Sequence, residues 1–163
     1  MWRITEKAAA VASLLDGRTV SCAESCTAGR LAQAFAGVAN ASDWLRGGLV
    51  AYQFEIKRRY LCVKAPSMFS EQCAAEMAFG AAKFFGTDVA VSTTGVVGDD
   101  PEDGVAPGTV FVATFVSGDL VATTHRFPEL GAAASERAAE QALDDLEAHL
   151  RRACRSDGDR LVR

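Results

Sequence analysis

The residue best placed for chemistry is Ser25, which lies between a predicted strand, 19–22, and a predicted helix, 28–37. A hydroxyl at a strand-to-helix turn faces the first free N–H groups of the helix and the positive end of its dipole, which favour an anion or a developing oxyanion. Such a hydroxyl can act as a nucleophile or contact a phosphate. The alternative is that Ser25 or Thr27 only caps the helix.

A second candidate, Lys57, lies in a short predicted helix after a predicted strand, 48–52, which ends at Tyr52. A serine hydroxyl needs a base to be a useful nucleophile at neutral pH, and a partly buried lysine with a lowered pKa can supply it. The alternative is that Lys57 is a solvated charge, because two further cations, Arg58 and Arg59, follow it.

These residues lie in a longer pattern. The run Ala-Glu-Ser-Cys-Thr at 23–27 is followed by Gly-Gly-Leu-Val-Ala-Tyr at 47–52 and then by Lys57. Segments at 93–98 and 107–110 extend the match. The pattern resembles the C-terminal domain of the bacterial CinA proteins, whose stand-alone members are nicotinamide mononucleotide deamidases (PncC), and the resemblance covers nearly the whole chain.

The resemblance implies a deamidase that uses neither a metal nor a cofactor. Ser25 would be the nucleophile and Lys57 its general base, and Tyr52 would help to hold the lysine or the substrate. A small amide, such as the pyridine nucleotide nicotinamide mononucleotide, would be converted to a carboxylate with release of ammonia through an acyl-enzyme. The amide N–H groups after Ser25 are expected to stabilise the oxyanion. The residues expected to line the pocket or contact the substrate are Cys26, Thr27, Thr94, Gly95 and Arg137.

Two departures from the family pattern concern the space around the substrate. Ala28 stands where the family has a glycine, and its methyl group is expected to crowd a closely approaching ligand. Phe54 stands where the family has an asparagine, so a large ring replaces a hydrogen-bonding group at a position expected to face the pocket.

Further departures concern the phosphate of a nucleotide substrate. Four acidic residues occupy the loop 99–103, and carboxylates repel a phosphate. Gly131 and Ser135 stand where the family has arginines, and Arg137 and Arg126 are the candidates to replace them. The chain therefore retains the Ser–Lys pair but has lost the expected phosphate ligands.

Three functions remain open on the sequence. The first is a nicotinamide mononucleotide deamidase, and the second is an amidase for a different, unphosphorylated amide. The third is a divergent relative without catalytic activity that binds a ligand, in a role tied to competence or DNA damage as the older family name suggests.

The composition predicts one soluble domain. The chain has 163 residues, of which 49% are hydrophobic and 23% charged, as is ordinary for a globular protein. We expect one domain over 1–154 and a polar tail over 155–163. The net charge of -4 argues against nucleic-acid binding, and no apolar run reaches the roughly twenty residues of a membrane span. The first residues do not resemble a signal peptide, so a cytoplasmic location is expected, and the resemblance implies a homo-oligomer.

The chain contains five cysteines and two histidines. No Cys-x-x-Cys pair occurs and the histidines are far apart, so the sequence indicates no zinc site, disulfide framework or His-based triad. Cys26 adjoins Ser25, and a helix N-terminus would lower the pKa of its thiol. Cys26 is therefore an alternative nucleophile, or else a small core residue. His149 lies in a charged run and is expected to be solvated.

Strands alternate with helices and give way to a hairpin and a last helix. This order predicts an α/β fold, a single-domain three-layer α/β/α sandwich with a mixed sheet that includes one antiparallel hairpin. The loops after the first three strands are expected to converge on one site. The predicted strands are 19–22, 48–52, 88–94, 109–116 and 120–127, and the predicted helices are 4–15, 28–37, the short one carrying Lys57, 71–85 and 132–151.

Overall fold

Helices and strands alternate along the chain in the predicted order. The computed structural model describes residues 2–160, with side-chain surroundings for 3–155. The strands are β1 (Val20–Glu24), β2 (Leu45–Val50), β3 (Val89–Val96), β4 (Thr109–Val116) and β5 (Asp119–Arg126). The helices in this part of the chain are α1 (Trp2–Ser13), α2 (Arg30–Ala36), α3 (Ala41–Trp44), α4 (Phe54–Leu61), α5 (Glu71–Phe85) and α6 (Gly131–Arg160).

The five strands form one mixed sheet in the order β2-β1-β3-β4-β5. Strand β1 is parallel to both of its neighbours, whereas β4 is antiparallel to β3 and to β5. Every residue of β1 and β3 is buried, which explains why these strands are rich in small and apolar residues. The carboxyl ends of β1, β2 and β3 consequently meet at one edge of the sheet.

Helices cover both faces of the sheet, so the predicted three-layer α/β/α architecture is confirmed. On one face, α1, α2 and α6 pack on a core that includes Phe35 and Leu143. On the other face, α4 and α5 bury Leu61 and Met77 against the strands. The predicted ends of α5 are also confirmed, because Ser70 Oγ accepts the N–H of Cys73 and Gly86 takes the left-handed conformation that ends the helix.

Several element boundaries differ from the prediction. The short helix α3 lies partly within the predicted loop 37–42, and β2 begins three residues before the predicted strand because its edge position tolerates the polar Arg46. Helix α6 continues to Arg160, so most of the predicted tail is helical, while 161–163 lie outside the described residues. No helix among residues 2–160 is long and apolar enough to cross a membrane.

His149 is buried, and the prediction of a solvated side chain is wrong. It lies three residues after Leu146 and seven after Ala142, which is the spacing of residues on one face of a helix, and both of those residues are buried in the core beneath α6. Its Nδ1 is 2.8 Å from Thr114 Oγ1 and its Nε2 is 3.0 Å from a carboxylate oxygen of Asp119. Burial lowers the pKa of His149, which favours the neutral ring.

Candidate active site

Ser25 and Lys57 are in contact at the edge where the parallel strands end. Lys57 Nζ lies 2.9 Å from Ser25 Oγ. Ser25 directly follows β1, and Lys57 lies on α4, which follows the neighbouring strand β2. Lys57 is 0% exposed, whereas Arg58 and Arg59 are exposed on the outer face of the same helix. The alternative of a solvated Lys57 is therefore wrong.

The amine of Lys57 has three oxygen atoms within hydrogen-bonding distance. The amine lies 2.7 Å from the carbonyl oxygen of Ala51 and 2.9 Å from that of Tyr52, in addition to the hydroxyl of Ser25. Burial lowers the pKa of Lys57 from its ordinary value of 10.5. A neutral amine has two N–H groups and one lone pair, so it can donate to both carbonyls and accept the hydroxyl proton of Ser25. This is the arrangement that a general base requires.

Tyr52 holds the lysine through its main chain. Its carbonyl oxygen accepts a hydrogen bond from Lys57, while its side chain is 58% exposed at the rim of the site. The phenol ring is therefore available to contact a substrate, and the support of the amine does not depend on the type of side chain at this position.

A buried carboxylate, Glu24, supports the turn that carries Ser25. Besides a longer contact from the thiol of Cys22, it accepts four hydrogen bonds, at 2.6 to 3.1 Å, from Thr27 Oγ1 and from the N–H groups of Gly29, Leu31 and Ala32. Glu24 thus satisfies the free N–H groups at the start of α2, and the alternative that Ser25 or Thr27 caps this helix is wrong. This role of Glu24 was not predicted from the sequence, although a carboxylate that ends a wholly buried strand must find donors.

Thr27 and Thr94, which were expected to contact the substrate, are structural residues. Thr27 is 0% exposed, and its hydroxyl is bonded to Glu24 and lies 2.7 Å from Thr93 Oγ1. Thr94 is also 0% exposed, and its hydroxyl donates to the carbonyl oxygen of Met68 at 2.7 Å. Both hydroxyls are therefore used inside the fold, where they fix the loops around Ser25.

Cys26 is not poised as a nucleophile. Burial raises the pKa of its thiol to about 12, so the thiol stays protonated at neutral pH. The expected lowering by a helix N-terminus fails because α2 begins only at Arg30 and its first N–H groups are bonded to Glu24. Cys26 does line the pocket, as expected of a substrate-contacting residue.

Ser25 opens into a pocket of about 220 Å³, in which the loops after β1, β2 and β3 converge as predicted. The volume is smaller than the roughly 300–1,000 Å³ typical of sites for drug-sized ligands, so it suits the reacting end of a substrate. Gly95 lines the pocket, and a side chain there would collide with the backbone of β4. The lining residues are Ser25, Cys26, Tyr52, Met68, Phe69, Gly95, Val97, Gly98, Glu102 and Gly131.

Neither Ala28 nor Phe54 intrudes on this pocket, contrary to expectation. The methyl group of Ala28 is exposed on another face of the turn, and Ala28 lines a separate groove beside Arg30. The ring of Phe54 packs on the core under α4, with the guanidinium of Arg58 4.1 Å above it. Both departures therefore leave the space next to Ser25 unchanged.

Ala28 lowers the stability of the fold through its backbone, because its φ of 48° lies in the left-handed region, which is strained for alanine. Glycine adopts this conformation without strain. We expect Ala28→Gly to raise the free energy of unfolding by about 0.5–1 kcal/mol, measured by urea denaturation. In the matched control Ala9→Gly, the same change at an exposed position inside α1 should lower it by about 1 kcal/mol. Equal destabilisation by both changes would contradict this account.

The positions at which the resemblance places arginines adjoin the site. Gly131 lines the pocket, and Ser135 Oγ donates to the carbonyl oxygen of Cys26 at 2.5 Å. Arg137 points elsewhere, because its guanidinium bonds to Glu140 at 2.8 Å and lies over the ring of Phe127. Neither Arg137 nor Arg126 is among the described residues that line the pocket. Arg137 and Arg126 therefore do not replace the missing arginines as phosphate ligands in this pocket.

Within the part of the chain that the structure describes, no group of three or more histidine, cysteine, aspartate or glutamate side chains could hold a metal ion.

Comparison with known proteins places the chain in a family. A CinA-like protein of Mycolicibacterium gilvum is 37% identical over 91% of the chain, and one of Gemmatimonas aurantiaca is 39% identical over 78%. The chain spans only 26% to 36% of the length of the curated relatives that it matches. A crystal structure of a competence-damaged protein (CinA) superfamily protein from Klebsiella pneumoniae has a TM-score of 0.86 and 32% identity, and the match covers 91% of this chain and 98% of that one. The family model of the CinA C-terminal domain matches residues 4–150, and the chain belongs to this family.

Proposed function

We propose that the chain is an amidohydrolase that converts a small carboxamide to a carboxylate and ammonia. Nicotinamide mononucleotide is the first amide to consider because of the resemblance of the motifs. The observation that carries the proposal is the contact of 2.9 Å between Ser25 Oγ and a fully buried Lys57 amine. Burying an amine lowers the stability of the fold unless its hydrogen bonds are satisfied, and an amine buried against a serine hydroxyl can serve as a base.

In the proposed reaction, Ser25 Oγ attacks the carbonyl carbon of the amide while the neutral amine of Lys57 takes the hydroxyl proton. Lys57 then passes this proton to the departing nitrogen, the C–N bond breaks, and ammonia leaves an acyl ester on Ser25. Water attacks the ester with Lys57 again as the base, which releases the carboxylate and restores the hydroxyl.

The oxyanion formed in each step would be stabilised by the turn that follows Ser25. The N–H of Ser25 donates to the carbonyl oxygen of Thr93 at 3.0 Å, and the N–H groups of Ala28 and Gly29 are bonded inside the turn. The amide of Cys26, a residue that lines the pocket, is therefore the proposed donor. A donor of this kind contributes about 3–4 kcal/mol at the transition state in enzymes that use one.

An unphosphorylated amide is the second candidate substrate. It is favoured by the position of Arg137, which is paired with Glu140 outside the pocket, and by the absence of a side chain at Gly131. A substrate without a phosphate needs no cation at these positions. The two candidates differ only in what lies beyond the carboxamide, and the chemistry at Ser25 is the same for both.

The proposal is tested by measuring ammonia release from nicotinamide mononucleotide and nicotinamide riboside between pH 5 and 10, with Ser25→Ala as the control. Lys57 must be neutral to act as the base, so kcat/KM should rise with pH through the pKa of Lys57. Because burial lowers that pKa, the rise should end below 10.5. No release from either amide, or release that persists in Ser25→Ala, would reject the proposal and favour a ligand-binding relative without activity.

A further inference from the structure

Glu102 is the one charged residue among the described residues that line the Ser25 pocket. The remaining lining residues carry hydroxyl, thiol, aromatic, aliphatic or glycine groups. None of the ion pairs formed by the described side chains involves Glu102. A negative charge without a protein counter-ion therefore lies at the mouth of a small pocket.

The backbone holds Glu102 at this place. Its N–H donates to the carbonyl oxygen of Val105 at 3.1 Å, and the N–H of Val105 donates back at 2.8 Å. The two residues between them, Asp103 and Gly104, have φ angles of 49° and 76°, as in a type I′ turn. Asp-Gly is a favoured pair for this turn. Glu102 is thus carried by a small closed hairpin and not by an irregular loop.

The start of helix α6 contributes positive charge near the same pocket, which opposes the negative charge of Glu102. Helix α6 begins at Gly131, and a helix N-terminus carries roughly half a unit of positive charge. The N–H of Gly131 already donates to the carbonyl oxygen of Val97 at 2.6 Å. The carboxylate carries a full unit of charge and lines the same pocket. With the amine of Lys57 in the neutral form that the proposed reaction requires, the balance of these charges favours a cationic ligand over an anionic one.

We propose that Glu102 determines specificity by favouring carboxamides that carry a positive charge and no phosphate. The inference rests on the proposed function and names the substrate class for that same site. A pyridinium amide such as a nicotinamide riboside has this character, since the ring nitrogen is cationic and the sugar is uncharged. Adding a phosphate to the same molecule would place negative charge near Glu102 and weaken binding.

The test is a binding measurement that does not depend on turnover. Nicotinamide, nicotinamide riboside and nicotinamide mononucleotide are titrated by calorimetry into the full chain carrying Ser25→Ala. The riboside is expected to bind at least about tenfold more tightly than the mononucleotide, from the order of magnitude of a close charge interaction. In the chain that also carries Glu102→Gln, the affinities for the riboside and the mononucleotide should differ by no more than about threefold. The riboside, which should bind more tightly than neutral nicotinamide when Glu102 is present, should then bind no more tightly than nicotinamide.

The matched control is Asp103→Asn, which removes one negative charge from the adjacent residue outside the pocket lining. Asparagine tolerates the left-handed backbone at this position, and the control should keep the wild-type ratio. A ratio that Glu102→Gln leaves unchanged, or that both variants change equally, would overturn the inference, as would failure of all three ligands to bind. Selective binding without ammonia release from the wild-type chain would reject the proposed function and leave the charge preference supported.

Discussion

Ser25→Ala and Lys57→Met are each expected to lower kcat/KM for amide hydrolysis by at least about 10⁴-fold, the order seen when one member of a nucleophile–base pair is removed. Methionine is unbranched and nearly as long as lysine, so it fills the same buried space without supplying a base. The double variant should be no less active than either single variant, because the two groups act as one unit.

The readouts for this prediction are steady-state ammonia release and thermal unfolding of each variant. Lys64→Met is the matched control, since Lys64 is exposed and lies outside the lining of the Ser25 pocket. It should keep full activity. If either active-site variant retained a tenth of the activity, or if the losses multiplied in the double variant, the Ser–Lys mechanism would be incorrect.

Glu24→Ala is expected to lower the free energy of unfolding by about 4 kcal/mol, because it leaves three buried or part-buried N–H groups at the start of α2 without an acceptor. The melting temperature should fall by about 8–16 °C for a domain of this size. Glu24→Gln retains the shape but replaces one acceptor oxygen with a donor, so it should cost about half as much.

Differential scanning calorimetry checks this prediction, with Glu6→Ala on the exposed face of α1 as the control. The control should change the free energy of unfolding by no more than about 0.5 kcal/mol. Glu24→Gln should also reduce turnover more than binding, because the turn that aims Ser25 is loosened. A loss below about 1 kcal/mol for Glu24→Ala would show that solvent or a rearranged turn replaces the carboxylate.

The pairing of Ser25 with Lys57 was expected from the resemblance of the motifs, and the convergence of the loops that carry them was expected from the alternation of strands and helices. Each residue follows the end of a strand, and the two strands are parallel neighbours, so their loops share one edge of the sheet. The positions of strands and helices could likewise be predicted from apolar runs and from residues that begin or end a helix, such as Ser70 and Gly86. These signals are local, and the fold that they predict has few alternatives.

The orientation of individual side chains was not accessible in this way. Thr27 and Thr94 have the right type and place for a substrate contact, but their rotamers direct both hydroxyls into the fold. Met68 and Phe69 line the pocket from the irregular segment between α4 and α5, which has no periodic pattern. The burial of His149 was missed for a different reason, since its charged neighbours obscured the apolar stripe of α6.

The segment between β3 and β4 leaves the sheet and returns to it at one edge. Val96 is paired with Thr109, and the N–H of Gly108 donates to the carbonyl oxygen of Val96 at 2.8 Å, so the sheet is closed beneath the segment. Residues 98–104 are exposed above this closure. Substitutions there can change what lines the pocket, while β1 and α4 keep Ser25 and Lys57 in contact. The exposed segment 98–104 can therefore change without disturbing the sheet, so the lining of the pocket can diverge with little loss of stability.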